Sequence, residues 1–81
     1  MTIDAEWLET EAAEKISGAT GEVILDFSPL ARVDATTVGA LERLADLAGN
    51  RGVRVVLRAV NRDVYKVLKL LKLSDRFAFL N

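Results

Sequence analysis

The stretch VRVVLRAVNRDVYKVLKLL, residues 53–71, decides the fold, because its hydrophobic period changes at Asn61. Its first half is rich in β-branched residues and predicts a strand, and Asn61 is a favourable N-cap for a helix. In the second half the apolar residues recur at i, i+3, i+4 and i+7, the spacing of a helix laid on a sheet. These residues are Val64, Val67, Leu68 and Leu71. The stretch therefore predicts a strand followed by a third helix that ends near Leu73.

The two faces of this predicted strand differ in polarity. One face consists of Val53, Val55, Leu57 and Ala59, and the other of Arg54, Val56, Arg58 and Val60. A strand buried on both faces would not carry two arginines on one of them. We therefore expect helices mainly on one side of the sheet, with the arginine side at least partly exposed to water.

The chain before this stretch shows the same two kinds of pattern. A first helix is predicted over residues 4–17, with Asp4 as its N-cap and with Ile3 and Leu8 at the two hydrophobic-staple positions. The sequence GEVILDF, residues 21–27, alternates as a strand does. A second helix is predicted over residues 36–48, and GNRG, residues 49–52, is predicted to end it.

A short apolar tail, Phe77 to Leu80, is predicted as a last strand. Strands that alternate with helices indicate parallel pairing through right-handed crossovers. The 81 residues therefore predict one α/β domain with a small, mainly parallel sheet and helices largely on one face.

Composition argues against several classes of function. The chain has no cysteine and no histidine, so a thiolate metal site and the commonest general base are both missing. GNRG follows a helix instead of preceding one, so it is not a phosphate-binding loop. We expect no enzyme activity, no cofactor and no metal. No apolar run reaches the roughly 20 residues of a membrane span, and we expect a cytoplasmic protein.

Charge is distributed unevenly along the chain. Residues 1–18 carry −4 and residues 51–81 carry +6. The opposite charges either tie the two ends together or offer a basic face to a partner. That basic face comprises Arg62, Lys66, Lys69 and Lys72, with Arg76 nearby. It is either a solvated helix face or a docking site for an acidic protein or anionic lipid. Nucleic acid is not expected, since there is no aromatic platform for stacking.

The stretch VDATTVGAL, residues 33–41, joins the first predicted strand to the second predicted helix. Asp34 suits the N-cap of that helix, because its carboxylate can accept the free amide hydrogens of Thr36 or Thr37. A capped helix N-terminus is also a place where a hydroxyl is displayed and a phosphate is electrostatically favoured. Loops at the carboxyl ends of parallel strands commonly carry function. The stretch is therefore the first candidate for a binding site.

Residues 22–79 resemble a STAS domain, the module of bacterial anti-sigma-factor antagonists and of the cytoplasmic tails of sulfate transporters. The matching features are a strand ending in LDFS, the loop to VDATTVGAL, and RGVRVVLRAVNRDVYKVLKLLKL as strand, loop and last long helix. Within the loop, Asp34 matches the aspartate of the family, Thr36 its second small residue and Gly39 the glycine inside the second helix. The resemblance implies a non-enzymatic protein-interaction module that acts in bacterial signalling and transcription regulation.

The implied partner surface surrounds the N-terminus of the second helix. It consists of Ser28, Asp34, Ala35, Thr36 and Thr37. In the anti-sigma-factor-antagonist branch, the partner is a kinase-like anti-sigma factor. The stretch VNRDVYKVLKLLKL also resembles the last helix of the small STAS subunit of phospholipid-transport ABC systems, which braces an ATPase subunit. These two functions remain alternatives at the level of sequence.

Two departures from the family pattern affect this expectation. Ala35 occupies the position directly after the aspartate, where the family has its phosphorylatable serine or threonine, and alanine has no hydroxyl. Thr36 and Thr37 are not equivalent acceptors, because a helix rotates by about 100° per residue. The usual pair of N-terminal strands is also lacking. We therefore expect an open sheet edge, at which a homodimer could form.

Overall fold

The computed structural model describes residues 4–80, in which three helices alternate with three strands. The first helix, α1, covers residues 5–18 in three successive parts: an α-helical turn Ala5–Trp7, a π-helical segment Leu8–Ala12 and an α-helical segment Ala13–Gly18. The remaining elements are β1 Glu22–Asp26, α2 Ala35–Arg51, β2 Arg54–Arg58, α3 Arg62–Leu70 and β3 Ala78–Leu80. A 3₁₀ turn, Leu73–Asp75, lies between α3 and β3.

The three strands form one parallel sheet in the order β1-β2-β3. In the register of this sheet, Glu22 lies beside Arg54 and Asp26 lies beside Arg58. Val56 is flanked by Ile24 on β1 and by Ala78 on β3. The predicted α/β fold with a small parallel sheet is confirmed, including the strand in the C-terminal tail.

Only one face of the sheet belongs to the hydrophobic core. The residues of the sheet and its immediate flanks that lie in that core are Val23, Leu25, Phe27, Val53, Val55, Leu57 and Phe77. On the opposite face, Arg54 and Arg58 are exposed, and the Ile24 side chain is 52% exposed. Val56 is 8% exposed but lies outside the core cluster. Helices on one side and a solvated arginine side are thus confirmed.

Two helix boundaries differ from the prediction. Helix α2 continues to Arg51, so most of GNRG is helical, and Gly52 ends the helix with a left-handed backbone, φ +66°. Helix α3 ends at Leu70 instead of near Leu73. The chain must leave this helix early because Leu73 is buried in the core, which places Leu71 in an exposed position instead of on the buried face.

In the described chain the cap of α1 is local, whereas the ion pairs join distant segments. Asp4 caps α1 as predicted, since its carboxylate accepts the Trp7 amide hydrogen at 2.8 Å; Ile3 of the proposed staple lies outside the described residues. The acidic α1 and the basic C-terminal segment each pair with α2. Glu9 binds Arg43, and Arg76 lies 2.8 Å from the carboxylate of Asp46.

Candidate functional site

The N-terminus of α2 is built by Asp34. This residue has an extended backbone, and its Oδ1 accepts the amide hydrogen of Thr37 at 2.8 Å, while its carbonyl accepts the amide hydrogen of Val38 at 2.9 Å. The predicted N-cap is therefore confirmed. The hydrogen bonds from Thr37, the backbone one first, hold the pKa of Asp34 below its ordinary value. The carboxylate is ionised at neutral pH and already has a partner within the chain.

The first turn of α2 divides its residues between solvent and core. Ala35 and Thr36 are exposed, whereas Thr37 is only 5% exposed. The burial of Thr37 follows from its position at the start of the helix face that packs on the core, next to Ala40 and Leu41. At this end of α2, the accessible residues of the predicted surface are Asp34, Ala35 and Thr36.

Ser28 begins the loop that leads from β1 to this surface. Its side chain is exposed, and its amide donates a 2.9 Å hydrogen bond to Oδ1 of Asp26. This bond is the main cause of a lowered pKa at Asp26, and the positive charge of Arg58 contributes in the same direction. Asp26 and Asp34 are thus each engaged in a local turn at opposite ends of one loop.

An open groove of about 270 Å³ lies between the N-termini of α1 and α2. Its lining residues are Asp4, Ala5, Glu6, Asp34, Thr36 and Thr37. The structure thus brings three of the predicted residues together with the first turn of α1, which sequence reasoning missed. Ser28 and Ala35 do not line this groove. The groove therefore carries the carboxylates of Asp4, Glu6 and Asp34.

The sequence indicates only part of what α1 contributes to the groove. Asp4 and Asp34 were both predicted as N-caps, but no sequence pattern indicates that the two capped ends lie side by side. That proximity comes from the packing of α1 against α2, in which Leu8, Ala12 and Ile16 are fully buried.

A second concave surface lies at the carboxyl ends of β2 and β3. This open cavity of about 630 Å³ is lined by Leu57, Val60, Arg62, Tyr65, Phe79 and Leu80. The rings of Tyr65 and Phe79 pack edge to face with their centres 5.0 Å apart. Sequence reasoning did not find this cavity, because its two aromatic residues come from distant segments of the chain.

The predicted basic face is exposed in the structure. Arg62, Lys66, Lys69 and Lys72 all face solvent, whereas Arg76 is engaged by Asp46. Leu70 lies among the three lysines and is 83% exposed. Since α3 starts after the carboxyl end of β2 and runs back along the sheet, this end of α3 lies away from the N-terminus of α2.

Across residues 4–80, no three carboxylates converge in a way that could hold a metal ion. Within the same part of the chain, no helix combines the length and hydrophobicity needed to span a membrane.

These features define a small parallel α/β domain with one uncovered sheet face and an exposed, capped helix N-terminus at the carboxyl end of β1. The sequence profile of the STAS domain matches residues 3–81, and the chain therefore belongs to the STAS domain family.

The fold is similar to the solved structure of a proposed anti-sigma factor antagonist from Thermotoga maritima, with a TM-score of 0.73 and 18% sequence identity. The similarity covers 95% of this chain and 63% of that chain, so this chain spans less than two thirds of the length of that protein. At this identity the similarity concerns the fold alone. No curated protein matches this chain.

Proposed function

We propose that this chain is a non-enzymatic protein-interaction module of the anti-sigma-factor-antagonist type, which binds its partner through the N-terminus of α2. Membership of the STAS domain family supports an interaction module, and the name of the Thermotoga protein supports this branch of the family. The observation that carries the proposal is the exposure of Ala35 and Thr36 beside the fixed cap Asp34. The partner is a kinase-like anti-sigma factor in the cytoplasm, and binding releases a sigma factor.

Ala35 keeps this surface in its binding-competent form. It has no hydroxyl at the family's phosphoacceptor position, and the nearby residue Thr37 is only 5% exposed. Thr36 is exposed, but it lines a groove that already holds the carboxylates of Asp4, Glu6 and Asp34. A phosphate on Thr36 would add about −1.5 to −2 charges to this acidic groove, which disfavours the modification. The module is therefore not switched off by phosphorylation of this turn.

The test is a binding titration and a pull-down from source-organism lysate, comparing the native protein with Ala35→Glu. A glutamate at the first position of α2 is compatible with the helix dipole, so the variant should fold. Asn50→Glu is the matched control, because it adds the same charge at an exposed position near the other end of α2. We expect Ala35→Glu to lose an anti-sigma factor that the native protein and the control retain. Equal capture by all three proteins would contradict the proposal.

A second candidate function is the small regulatory subunit that braces the ATPase of a phospholipid-transport ABC system. The observation that favours it is the exposed Leu70 at the end of α3, since a leucine this exposed is commonly a contact for another protein. Under this function an ATPase co-purifies with the chain, and Leu70→Glu releases it. An anti-sigma factor that depends on Ala35 but not on Leu70 would exclude this candidate.

A further inference from the structure

The sheet has a face that none of the described helices covers. We call it the back face. It consists of Glu22, Ile24 and Asp26 on β1, Arg54, Val56 and Arg58 on β2, and Ala78 and Leu80 on β3. All four charged residues are exposed, and the side chains of Ile24 and Leu80 are 52% and 48% exposed. An apolar centre with a charged border is typical of an interface, in which a polar rim surrounds an apolar core.

The charges of the back face are arranged in two columns of opposite sign. Glu22 and Asp26 lie on β1, and Arg54 and Arg58 lie on β2. The register places them in three rows: Glu22 beside Arg54, Ile24 beside Val56, and Asp26 beside Arg58. No ion pair within 4.0 Å joins these charges in the described chain, so they remain available to a second molecule.

We infer that the back face is the interface of a weak homodimer, in which two copies pack face to face about a two-fold axis that runs parallel to the strands, midway between β1 and β2. Such an axis exchanges the two columns and keeps the rows at the same height. Glu22 of one copy then lies over Arg54 of the other, Asp26 over Arg58, and Ile24 over Val56. Every charge of one copy meets an opposite charge of the other, and Ile24 and Val56 meet at the centre, while Ala78 and Leu80 on β3 lie beside the overlapping strands.

The twist of packed sheets is compatible with this pairing. Two sheets that pack face to face lie about 10 Å apart, a gap that arginine and glutamate side chains span together. Glu22 and Asp26 are four residues apart, so each lies about 7 Å from the middle of its strand. A rotation of about 30° between the sheets displaces each charge by roughly 3.5 Å. That shift is smaller than the roughly 4.8 Å between neighbouring strands, so each pair stays together.

The two other symmetric arrangements bring like charges together. A two-fold axis in the interface but perpendicular to the strands places Glu22 over Asp26 and Arg54 over Arg58. Antiparallel pairing of two β1 strands along their whole length, at the open edge, places Glu22 directly beside Asp26 of the other copy. Like charges in direct apposition are destabilising. Among these arrangements, the charge pattern favours the axis parallel to the strands.

Charge reversal at one row distinguishes the three arrangements. The measurement is sedimentation velocity over a range of concentrations at low salt, for the native protein, E22K, R54E and an equimolar mixture of the two variants. A face of three short strands buries less than the roughly 1,200 Å² at the low end of stable interfaces, so native dimers should form only at high concentration. Each variant alone should dimerise at least about tenfold more weakly, since each places two like-charge contacts in the dimer.

The mixture should restore association to about the native level, because the introduced lysine then faces the introduced glutamate. Mixing does not repair any repulsion inside one monomer, so recovery cannot result from better folding. Stronger association of E22K alone would instead indicate edge pairing or the perpendicular axis. A native protein that is monomeric at all concentrations, or a mixture that stays monomeric, would overturn the inference. The surface at the N-terminus of α2 is unchanged in every variant, so the proposed function is tested separately.

Discussion

Asp34 accepts the amide hydrogen of Thr37 at 2.8 Å, and this contact both starts α2 and leaves Ala35 and Thr36 exposed between the two residues. The cap is a stabilising contact as well as part of the proposed binding surface. Two substitutions separate these roles: one removes both the capping hydrogen bond and the charge, and the other removes only the charge.

Removing the cap should destabilise the protein. We expect Asp34→Ala to lower the free energy of unfolding by about 1 kcal/mol, because the Thr37 amide loses its partner. Asp34→Asn should cost much less, since asparagine is an equally favourable N-cap. Urea denaturation of the three proteins measures both effects. Equal losses for the two variants would show that the charge of Asp34, and not its hydrogen bond, supports α2.

The stability difference between the native protein and Asp34→Asn should depend on pH. The pKa of Asp34 is lowered in the folded protein, so its carboxylate stabilises the fold above the ordinary aspartate pKa of about 3.9. This contribution is lost as the pH falls through the lowered folded value. Native stability should therefore decline more steeply than that of Asp34→Asn below about pH 4. The pKa of Asp26 is also lowered, so the stability of both proteins should still fall somewhat at acidic pH. Thermal unfolding at several acidic pH values would reveal parallel curves if Asp34 did not contribute.

Gly39 offers a stabilising substitution within α2. A Cβ at this position would lie 3.4 Å from the guanidinium of Arg43, which is the end of a flexible side chain. Gly39→Ala should therefore fit, and alanine is favoured over glycine inside a helix by about 0.8–1 kcal/mol. We expect the melting temperature to rise by several degrees. A fall in the melting temperature would mean that Arg43 cannot move without losing its contact with Glu9.

The ends of α2 and α3 use the same backbone conformation with different residues. Gly52 ends α2 with φ +66°, and Lys72 follows α3 with φ +62°. A left-handed backbone is strained for lysine but not for glycine. We expect Lys72→Gly to raise the free energy of unfolding by roughly 0.5–1 kcal/mol, less than the full strain because glycine also stabilises the unfolded chain.

Lys72→Ala is the control for this prediction. It removes the same positive charge but keeps a side chain on the left-handed backbone, so it should not raise stability. Chemical denaturation measures both variants. A similar gain from alanine would assign the effect to relief of repulsion among the lysines of the basic face.

The fold was predictable from the sequence where a pattern is local. Alternation identified β1, β-branched residues identified β2 and a short apolar tail identified β3. Asp4, Asp34 and Asn61 were predicted as N-caps and form the expected hydrogen bonds. Helix ends were less predictable, because more than one residue near each end could terminate the helix. Helix α2 continues through Gly49 and ends at Gly52. Helix α3 ends before Leu73, and Leu73 is buried in the core.

Only those residues of the candidate site that are neighbours in the sequence were predictable. VDATTVGAL identified Asp34 and its neighbours, but the groove formed with Asp4 and Glu6 depends on how α1 packs on α2. Four residues of the predicted basic face are exposed. Arg76 differs because the turn before β3 brings it to Asp46, a contact across 30 residues that no local pattern signals.

The parallel direction of all three strands has a consequence for avidity. Every strand ends at the same pole of the molecule, so an axis along the strands leaves the α2 N-termini of both copies pointing the same way. A dimeric partner could then engage both at once, and the second contact would form at the high effective concentration of a tethered site. Modest affinity at each α2 N-terminus would be enough for long-lived capture.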